Sequence, residues 1–580
     1  MILDTPERIR AYTDAGWWGT DTIDDLFRRA VAASPDRMAV VDPPNRADLT
    51  VGAPTRWTYA ELATRVDRLA TALRGAGVGR DDVVMVQLPN IVELPLVYLA
   101  AARIGAIVSP LPVQYRGHEL RHTVGVVEPS AFVTTTRMTG HDHVAMVREE
   151  WPGTIIGLSD APLPDGVLSL ADILETPVET SVQADGVTAN DIFTVCWTSG
   201  TEAEPKGVPR SHNQWISIAY ATVDGAQLRD GDVLLNPFPM VNMSGIGGMF
   251  VPWLLVGGTL VMHHPMALPV FLAQVGAERV AYTVAPPVLL NLLLANEALL
   301  ASADLSSLRV IGSGSAPLSS GMVLGWKERF GIDVSNFFGS NEGTALIGDP
   351  RTVPDPAERA SLFPRFGGAG VPVPSGGWGN RVADGMESRL IDPLTGEEVS
   401  EAGVPGELVF RGPTLFPGYY RRPEMTARAF DADGFYRTGD LFAVSEDRPD
   451  RLQFVGRARD LIIRGGMKIA PEELEALIVR HPAVAEVAVF GIADPHLEGE
   501  QRVCAAVVTR PDPAGGEGAR LELSVGELRH FLVETGVAAY KIPREVTVVA
   551  ALPRNPVGKV LKGELRERFG HELAPEGAGR

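Results

Sequence analysis

Through its first 340 residues the chain alternates short, wholly apolar runs with longer amphipathic stretches, and that alternation admits few folds. A brief apolar run reads as a buried strand, and apolar positions three and four apart read as one face of a helix. Thr58 to Leu73 is a predicted helix: Thr58 and Glu61 form a capping box, and Leu62, Val66, Leu69 and Leu73 share a face. Gly75 and Gly77 end it, Val83 to Leu88 follows as a strand, and a second apolar helix is expected near Leu94 to Ile104. Repetition of this kind builds α/β layers. From Leu390 to about Gly434 the texture changes to short strands (RLID, GELVFRG) between turns rich in Pro and Gly, which predicts a small β-rich subdomain. Next comes a polar, turn-rich segment, VSEDRPD, and a domain boundary is expected between Asp440 and Leu461. Beyond it Pro471 opens a helix carrying Leu474, Leu477 and Ile478. Val484 to Phe490 and Val503 to Val508 read as strands, and Ser524 with Glu527 caps a further helix. These elements predict a compact α+β domain of roughly 120 residues.

A length of 580 residues allows more than one domain. The net charge of −20, from 52 basic and 72 acidic residues, argues against nonspecific binding to nucleic acid or an anionic membrane. The two cysteines, Cys196 and Cys504, lie in apolar runs far apart, so a disulfide framework is excluded and a cytoplasmic location is expected. MILDTPERIR has no apolar core, so no signal peptide is expected. The longest apolar run, about Met249 to His263, contains Pro252, Gly257 and Gly258 and is too short to span a bilayer. His263 and His264 after it read as a strand end rather than a zinc site, and no serine–histidine–acid grouping is visible.

The apolar run IFTVCW leads into WTSGTEAEPKGVPRSH, where three hydroxyls (Thr198, Ser199, Thr201), two glycines (Gly200, Gly207) and Lys206 lie within ten residues. Small side chains let backbone N–H groups converge on an anion, and a lysine adds a point charge. This predicts a polyphosphate loop. The spacing is not that of the common P-loop, and no Ser or Thr follows the lysine to hold magnesium.

The segment resembles the phosphate loop of the acyl-adenylate-forming (AMP-binding) enzymes, whose usual form is TSGTTGxPKG. FFGSNEG (337–343), GELVFRGPTLFPGYY (406–420), YRTGD (436–440), VGRARDLIIRGGMKIAPEELE (455–475) and NPVGKV (555–560) resemble that family's later motifs, in the family's order. The likeness runs from about Trp17 to Leu565, closest to bacterial acyl-CoA synthetases and aryl-acid adenylating enzymes. It implies a large N-terminal α/β domain over 1–456 with a β-rich subdomain at about 380–440. A hinge at 457–460, a mobile C-terminal α+β lid over 461–572 and a flexible tail over 573–580 complete the implied layout.

The resemblance also implies the chemistry. A carboxylate attacks the α-phosphorus of MgATP, pyrophosphate leaves, and a thiol takes the acyl group. Lys559 is implied as the lysine that bridges carboxylate and α-phosphate, and Glu342 as the Mg²⁺ ligand. Lys206, Thr198, Ser199, Gly200 and Thr201 are implied to hold the phosphates. Phe338 is implied to pack on adenine beside Gly314, Ser315, Ala316 and Pro317. Gly339, Ser340 and Asn341 complete that wall, and Asn341, standing for the usual threonine, is expected to reach a phosphate oxygen through its amide. Asp440 is implied to accept the ribose hydroxyls, with Arg457 near ribose or phosphate. Arg459 falls at the hinge, where Asp or Lys is usual, and Arg464, Gly465, Gly466 and Lys468 fall at the thiol passage. The acyl pocket is implied at Asn242, Met243, Ile246 and Gly247 with Gly314 and Gly339. Asn236 to Met262 holds no charged residue, so an uncharged apolar acid is expected. Gly245, Gly247 and Gly248 are expected to leave room for it. Asn242 is open to a substrate hydroxyl or to a backbone group. Glu202 and Ala203 replace the family's Thr-Gly pair, and a carboxylate ~6 Å from a phosphate charge costs about 3 kcal/mol per pair at an effective dielectric near 20. The expected activity is thus an ATP-dependent carboxylic acid–CoA ligase with ATP, Mg²⁺ and coenzyme A. Loading of a carrier-protein phosphopantetheine is the alternative, and monomer or homodimer is left open.

Overall fold

A computed structural model describes all residues except 139, 199–204, 344, 369–370, 372–380, 382, 465–466, 495–500, 513–518, 536, 538, 540, 555–559 and 573–580, and the side chains of 463, 467–468 and 570–572. They form two compact units, one of Met1–Ser388 with Phe410–Tyr436 and one of Arg389–Val409 with Arg437–Arg580.

The first unit is layered α/β, as the alternation predicts. Among the described residues one sheet has eight strands, with Ala345–Gly348 and Asp333–Gly339 at one edge and Met38–Val41 and Arg56–Thr58 at the other. A second sheet of seven strands ends in the antiparallel pair Ile192–Trp197 and Gly207–Ser211. The predicted helices are present as Tyr59–Gly75 and Glu93–Arg103. Thr58 and Glu61 make the reciprocal cap, at 3.3 and 2.8 Å. Every residue of Glu93–Arg103 is buried, which explains an apolar composition too even for an amphipathic surface helix. Its two charged ends are neutralised in place: Glu93 by Arg46 at 2.7 Å and Arg103 by Asp24 at 3.0 Å. No helix among the described residues is long and apolar enough to cross a membrane. The run near Met249 lies in the core, with Met249, Phe250, Val251 and Trp253 fully buried.

His212, the first residue of the helix His212–Gly225, is fully buried against Phe193, and its Nδ1 accepts the Ile23 N–H at 3.1 Å. Burial lowers its pKa from 6.5 to about 4, against a smaller opposing pull from Asp191. The folded state therefore refuses a proton that the unfolded chain takes up below pH 6.5, so stability falls as pH drops from 6.5 to about 4. At 1.36 kcal/mol per unit the loss is about 3 kcal/mol. Urea unfolding followed across this range should show that loss, and His212→Gln should flatten it. An unchanged slope in the variant would assign the acid sensitivity elsewhere.

The strands Glu387–Ile391, Gly406–Arg411, Tyr436–Val444 and Arg451–Arg457, most of whose residues belong to the second unit, lie side by side. The last two are an antiparallel pair that sets Val444 opposite Leu452 and Asp440 opposite Arg457. The polar VSEDRPD segment is thus the loop of a hairpin inside one sheet. Its composition marks a turn rather than a break between domains. The hairpin Ile462–Arg464 and Met467–Ile469 follows, then the helix Pro471–Ile478. Strands Val484–Ala493, Gln501–Thr509 and Glu545–Val548 carry the helices Val525–Glu534 and Lys562–Glu572, the α+β pattern predicted for this part.

Candidate active site

The candidate phosphate loop is the tip of the hairpin between Ile192–Trp197 and Gly207–Ser211. Its neck is closed by two hydrogen bonds. Thr198 N–H donates to the Lys206 carbonyl at 3.0 Å, and Lys206 N–H donates to Thr198 Oγ1 at 3.3 Å. A loop between antiparallel strands, rather than between a strand and a helix, explains why the common P-loop spacing is absent. Ser199, Gly200, Thr201 and the Glu202-Ala203 substitution lie outside the described residues.

Beside this neck stands the turn that ends the strand Asp333–Gly339. Glu342 is buried, and its Oε1 accepts the Tyr419 hydroxyl at 3.0 Å. The Lys206 ammonium lies over the same tyrosine ring, 5.3 Å from its centre. Tyr419 therefore joins the candidate metal ligand to the candidate phosphate lysine, a role for the first tyrosine of GYY that its motif did not disclose. The segment around it braces the turn: Phe416 N–H donates to the Glu342 carbonyl at 2.8 Å and Thr414 Oγ1 to the Gly343 carbonyl at 2.7 Å.

Arg210 sits beneath. It is fully buried, stacks on Trp215 at 4.5 Å, and donates to the carbonyls of Asn341 (2.9 Å), Gln214 (3.0 Å) and Thr414 (2.8 Å). Burial lowers its guanidinium to about 9. The group thus stays charged at neutral pH and places one positive charge behind the Glu342 turn.

Asn341 departs from expectation. Its Oδ1 accepts the Met243 N–H at 2.8 Å and its Nδ2 donates to the Trp197 carbonyl at 3.1 Å. The amide predicted to reach a phosphate oxygen is engaged at both ends by the protein's own backbone. Ser340 next to it has a buried hydroxyl with no hydrogen-bond partner among the described residues, which leaves a donor for a ligand. Phe338 is half-buried, edge-on to Phe363 at 6.2 Å, and Gly339 is exposed. Across the strand pair, Gly314 has no space for a side chain, since a Cβ would lie 2.1 Å from the Phe337 carbonyl oxygen. Ser315 takes the left-handed conformation, φ 67°, uncommon for serine and found where local strain is held at a site. Ser315, Ala316 and Pro317 are exposed.

In the second unit Asp440 is buried, and its carboxylate pairs with Arg457 Nε at 3.2 Å across the strands. Glu407, also buried, accepts from Arg437 at 2.6 Å and from Gly439 N–H at 3.1 Å, which fixes the turn before Asp440. A cavity of about 450 Å³ is lined there by Arg437, Thr438, Gly439, Arg457 and Arg459. Arg459 lies in the 3₁₀ turn Ala458–Asp460, and burial and the charge of Arg457 lower its pKa. Arg464 ends one strand of the next hairpin and Lys468 lies on the other, opposite Ile463. Gly465, Gly466 and Lys559 lie outside the described residues.

Residues 27–420 match the model of the AMP-binding enzyme family, and residues 473–559 match that of the AMP-binding enzyme C-terminal domain. The chain belongs to the AMP-binding enzyme family. Among its relatives, pyochelin synthase PchD of Pseudomonas aeruginosa is 33% identical over 97% of this chain and 95% of its own. The medium-chain fatty-acid–CoA ligase of Escherichia coli is 29% identical over 98% and 94%. The crystal structure of ATP-bound MatB from Rhodopseudomonas palustris superposes with a TM-score of 0.76 at 27% identity, covering 95% of this chain and 100% of that one.

Enzymes of this family use ATP, typically with Mg²⁺. No group of three or more His, Cys, Asp or Glu among the described residues is arranged to hold a metal. A single buried carboxylate, Glu342, nonetheless fits Mg²⁺, which keeps several waters and takes one or two carboxylates plus the substrate's own phosphates.

In the candidate acyl segment of this AMP-binding enzyme, one open reading is decided and one expectation is corrected. Asn242 Oδ1 accepts Ser244 N–H at 3.1 Å and Gly245 N–H at 3.3 Å, so the carboxamide caps the short helix Met243–Gly245 and serves the backbone. The space on the side-chain face of Gly245 and Gly247 is taken by the protein itself. A Cβ at Gly245 would lie 2.3 Å from the Pro239 carbonyl oxygen, and one at Gly247 2.9 Å from Met243 Sδ, so both glycines admit the protein's own close packing. Only Gly248 is open, its nearest neighbour 3.9 Å away. Ile246 is fully buried in the core and Met243 packs partly against it.

Proposed function

We propose that the chain is an ATP-dependent acid–thiol ligase that activates an uncharged carboxylic acid as its acyl-adenylate and passes the acyl group to coenzyme A. The observation that carries this reading is the junction of Lys206, Tyr419 and Glu342 at the neck of the candidate phosphate loop, which gathers a cation and a buried carboxylate suited to a metal–polyphosphate. In the first step an acid carboxylate oxygen bonds to the α-phosphorus and pyrophosphate departs with the electron pair of the broken P–O bond. In the second the thiol adds to the acyl carbon and AMP leaves. Both steps move charge among phosphate oxygens, so they need positioned charge more than proton transfer. Glu342 would hold Mg²⁺, which would supply positive charge beside the phosphates. Lys206 and Thr198 hold the phosphate chain, Asp440 accepts the ribose hydroxyls, and Lys559 bridges carboxylate and α-phosphate. Residues 457–460 serve as the hinge for the lid. The acid is taken to be apolar because the segment from Asn236 to Met262 carries no charge.

The likeness to a medium-chain fatty-acid–CoA ligase supports coenzyme A as acceptor. The higher identity to a pyochelin synthase favours a second reading, a carrier-protein phosphopantetheine thiol. Incubation with MgATP and a panel of fatty, alicyclic and aromatic acids, with and without coenzyme A, separates them. Acyl-CoA with AMP supports the first reading. An adenylate that persists until a carrier protein is added supports the second. No pyrophosphate with any acid would defeat both.

A further inference from the structure

Asn341 stands where two parts of the site meet, and neither its motif nor any role proposed above accounts for its contacts. One end of its amide accepts from Met243 N–H at 2.8 Å, in the acyl segment. The other end donates at 3.1 Å to the carbonyl of Trp197, the last residue before the phosphate loop. Its own carbonyl is fixed by the buried Arg210 guanidinium at 2.9 Å. The three bonds join segments 98, 144 and 131 residues apart in sequence. A planar carboxamide presents a donor and an acceptor on opposite sides and can span two backbones. The shorter threonine has one hydroxyl and cannot reach both.

We infer that Asn341 is a positioning residue that locks the acyl segment to the entrance of the phosphate loop, so that nucleotide bound at the loop orders the segment that receives the acid. The inference rests on the reading that this loop binds MgATP. Its value to the reaction is geometric. The acid carboxylate must meet the α-phosphorus in line, and effective concentration falls steeply when two reactants are held by parts that move independently. A bridge of two hydrogen bonds through one side chain makes those parts move together.

Hydrogen–deuterium exchange of the full chain tests this without knowledge of the acid. In the wild type, MgATP should slow exchange both at 192–198 and at 240–248, the latter by about fivefold, the effect of one net hydrogen bond. In Asn341→Ala the nucleotide should still protect 192–198 but no longer protect 240–248. Asn341→Asp keeps the acceptor for Met243 and loses the donor to Trp197. It should therefore leave the acyl segment as slow as wild type without nucleotide, yet unresponsive to it. A side chain that only props the fold would lower the melting temperature and leave the nucleotide response intact, and that result in either variant overturns the inference. No response at 240–248 in the wild type overturns it as well. No protection at 192–198 either would mean that the loop does not hold nucleotide, and both readings would fall together.

Discussion

Replacing Glu342 by glutamine will lower the rate of pyrophosphate formation by a factor of about 10²–10³ at saturating MgATP, the usual effect of removing one positioned charge from a reacting centre. The substitution keeps the size of the side chain and an oxygen for the Tyr419 hydroxyl, now held at 3.0 Å, so the turn and the Phe416 N–H bond to its carbonyl persist. What disappears is the carboxylate charge, a hard anionic ligand that Mg²⁺ prefers over a neutral amide. The loss should fall on turnover and on the Mg²⁺ requirement, with the unfolding midpoint unchanged. Tyr419→Phe is the informative partner. It leaves the charge and removes only the hydroxyl that aims it, so it should cost about fivefold, one hydrogen bond's worth. A Glu342→Gln enzyme with wild-type pyrophosphate release would remove Glu342 from the metal site.

What could be read from the sequence were the parts with a local cause. The capping box at Thr58 and Glu61 is a contact three residues apart, and the strand Ile192–Trp197 is a single apolar run, so both emerged where they were expected. The candidate phosphate loop and the candidate Glu342 turn stand out in the sequence because their residue types crowd into short segments. The contacts that tie them together do not. Arg210 looks like one more arginine in KGVPRSH, yet it holds carbonyls 131 and 204 residues away. Nothing in its neighbourhood distinguishes a buried guanidinium from an exposed one. Tyr419 offered a faint signal, an aromatic with a polar tip beside Gly418, but its partner Glu342 is 77 residues distant. Gly245 and Gly247 misled because a missing side chain reads the same whether substrate or the protein's own backbone fills the space, and here the Pro239 carbonyl and Met243 fill it. VSEDRPD is ambiguous for a related reason: a polar stretch that closes a hairpin has the same composition as one between domains.

The second large effect concerns a single hydrogen atom. Gly343→Ala should destabilise the first unit by about 2–4 kcal/mol and carry away most adenylation activity, whereas Gly16→Ala should cost about 1 kcal/mol and leave activity alone. Both glycines have positive φ, 106° and 77°, so both substitutions incur strain of about 1 kcal/mol. They differ in what a methyl group would meet. Around Gly16 nothing lies within 4 Å. At Gly343 the new carbon would stand 2.0 Å from the Thr414 carbonyl oxygen and 2.7 Å from Arg210 Nη1. Neither can yield cheaply. The Thr414 carbonyl is backbone held by Arg210 at 2.8 Å, and Arg210 itself is pinned by Gln214 and Asn341. Relief therefore requires the 341–343 turn to move away from Arg210, which breaks the bond that fixes Asn341 and displaces the Glu342 carboxylate from Tyr419. Overpacking of this kind costs about 1–3 kcal/mol beyond the torsional strain, and a displacement near 1 Å at a reacting centre costs about 10²-fold in rate. Urea unfolding and pyrophosphate release measured on the two variants decide the matter. If Gly343→Ala proves as mild as Gly16→Ala, the turn is not clamped between Arg210 and Thr414, and the rigidity assigned to this side of the site is wrong.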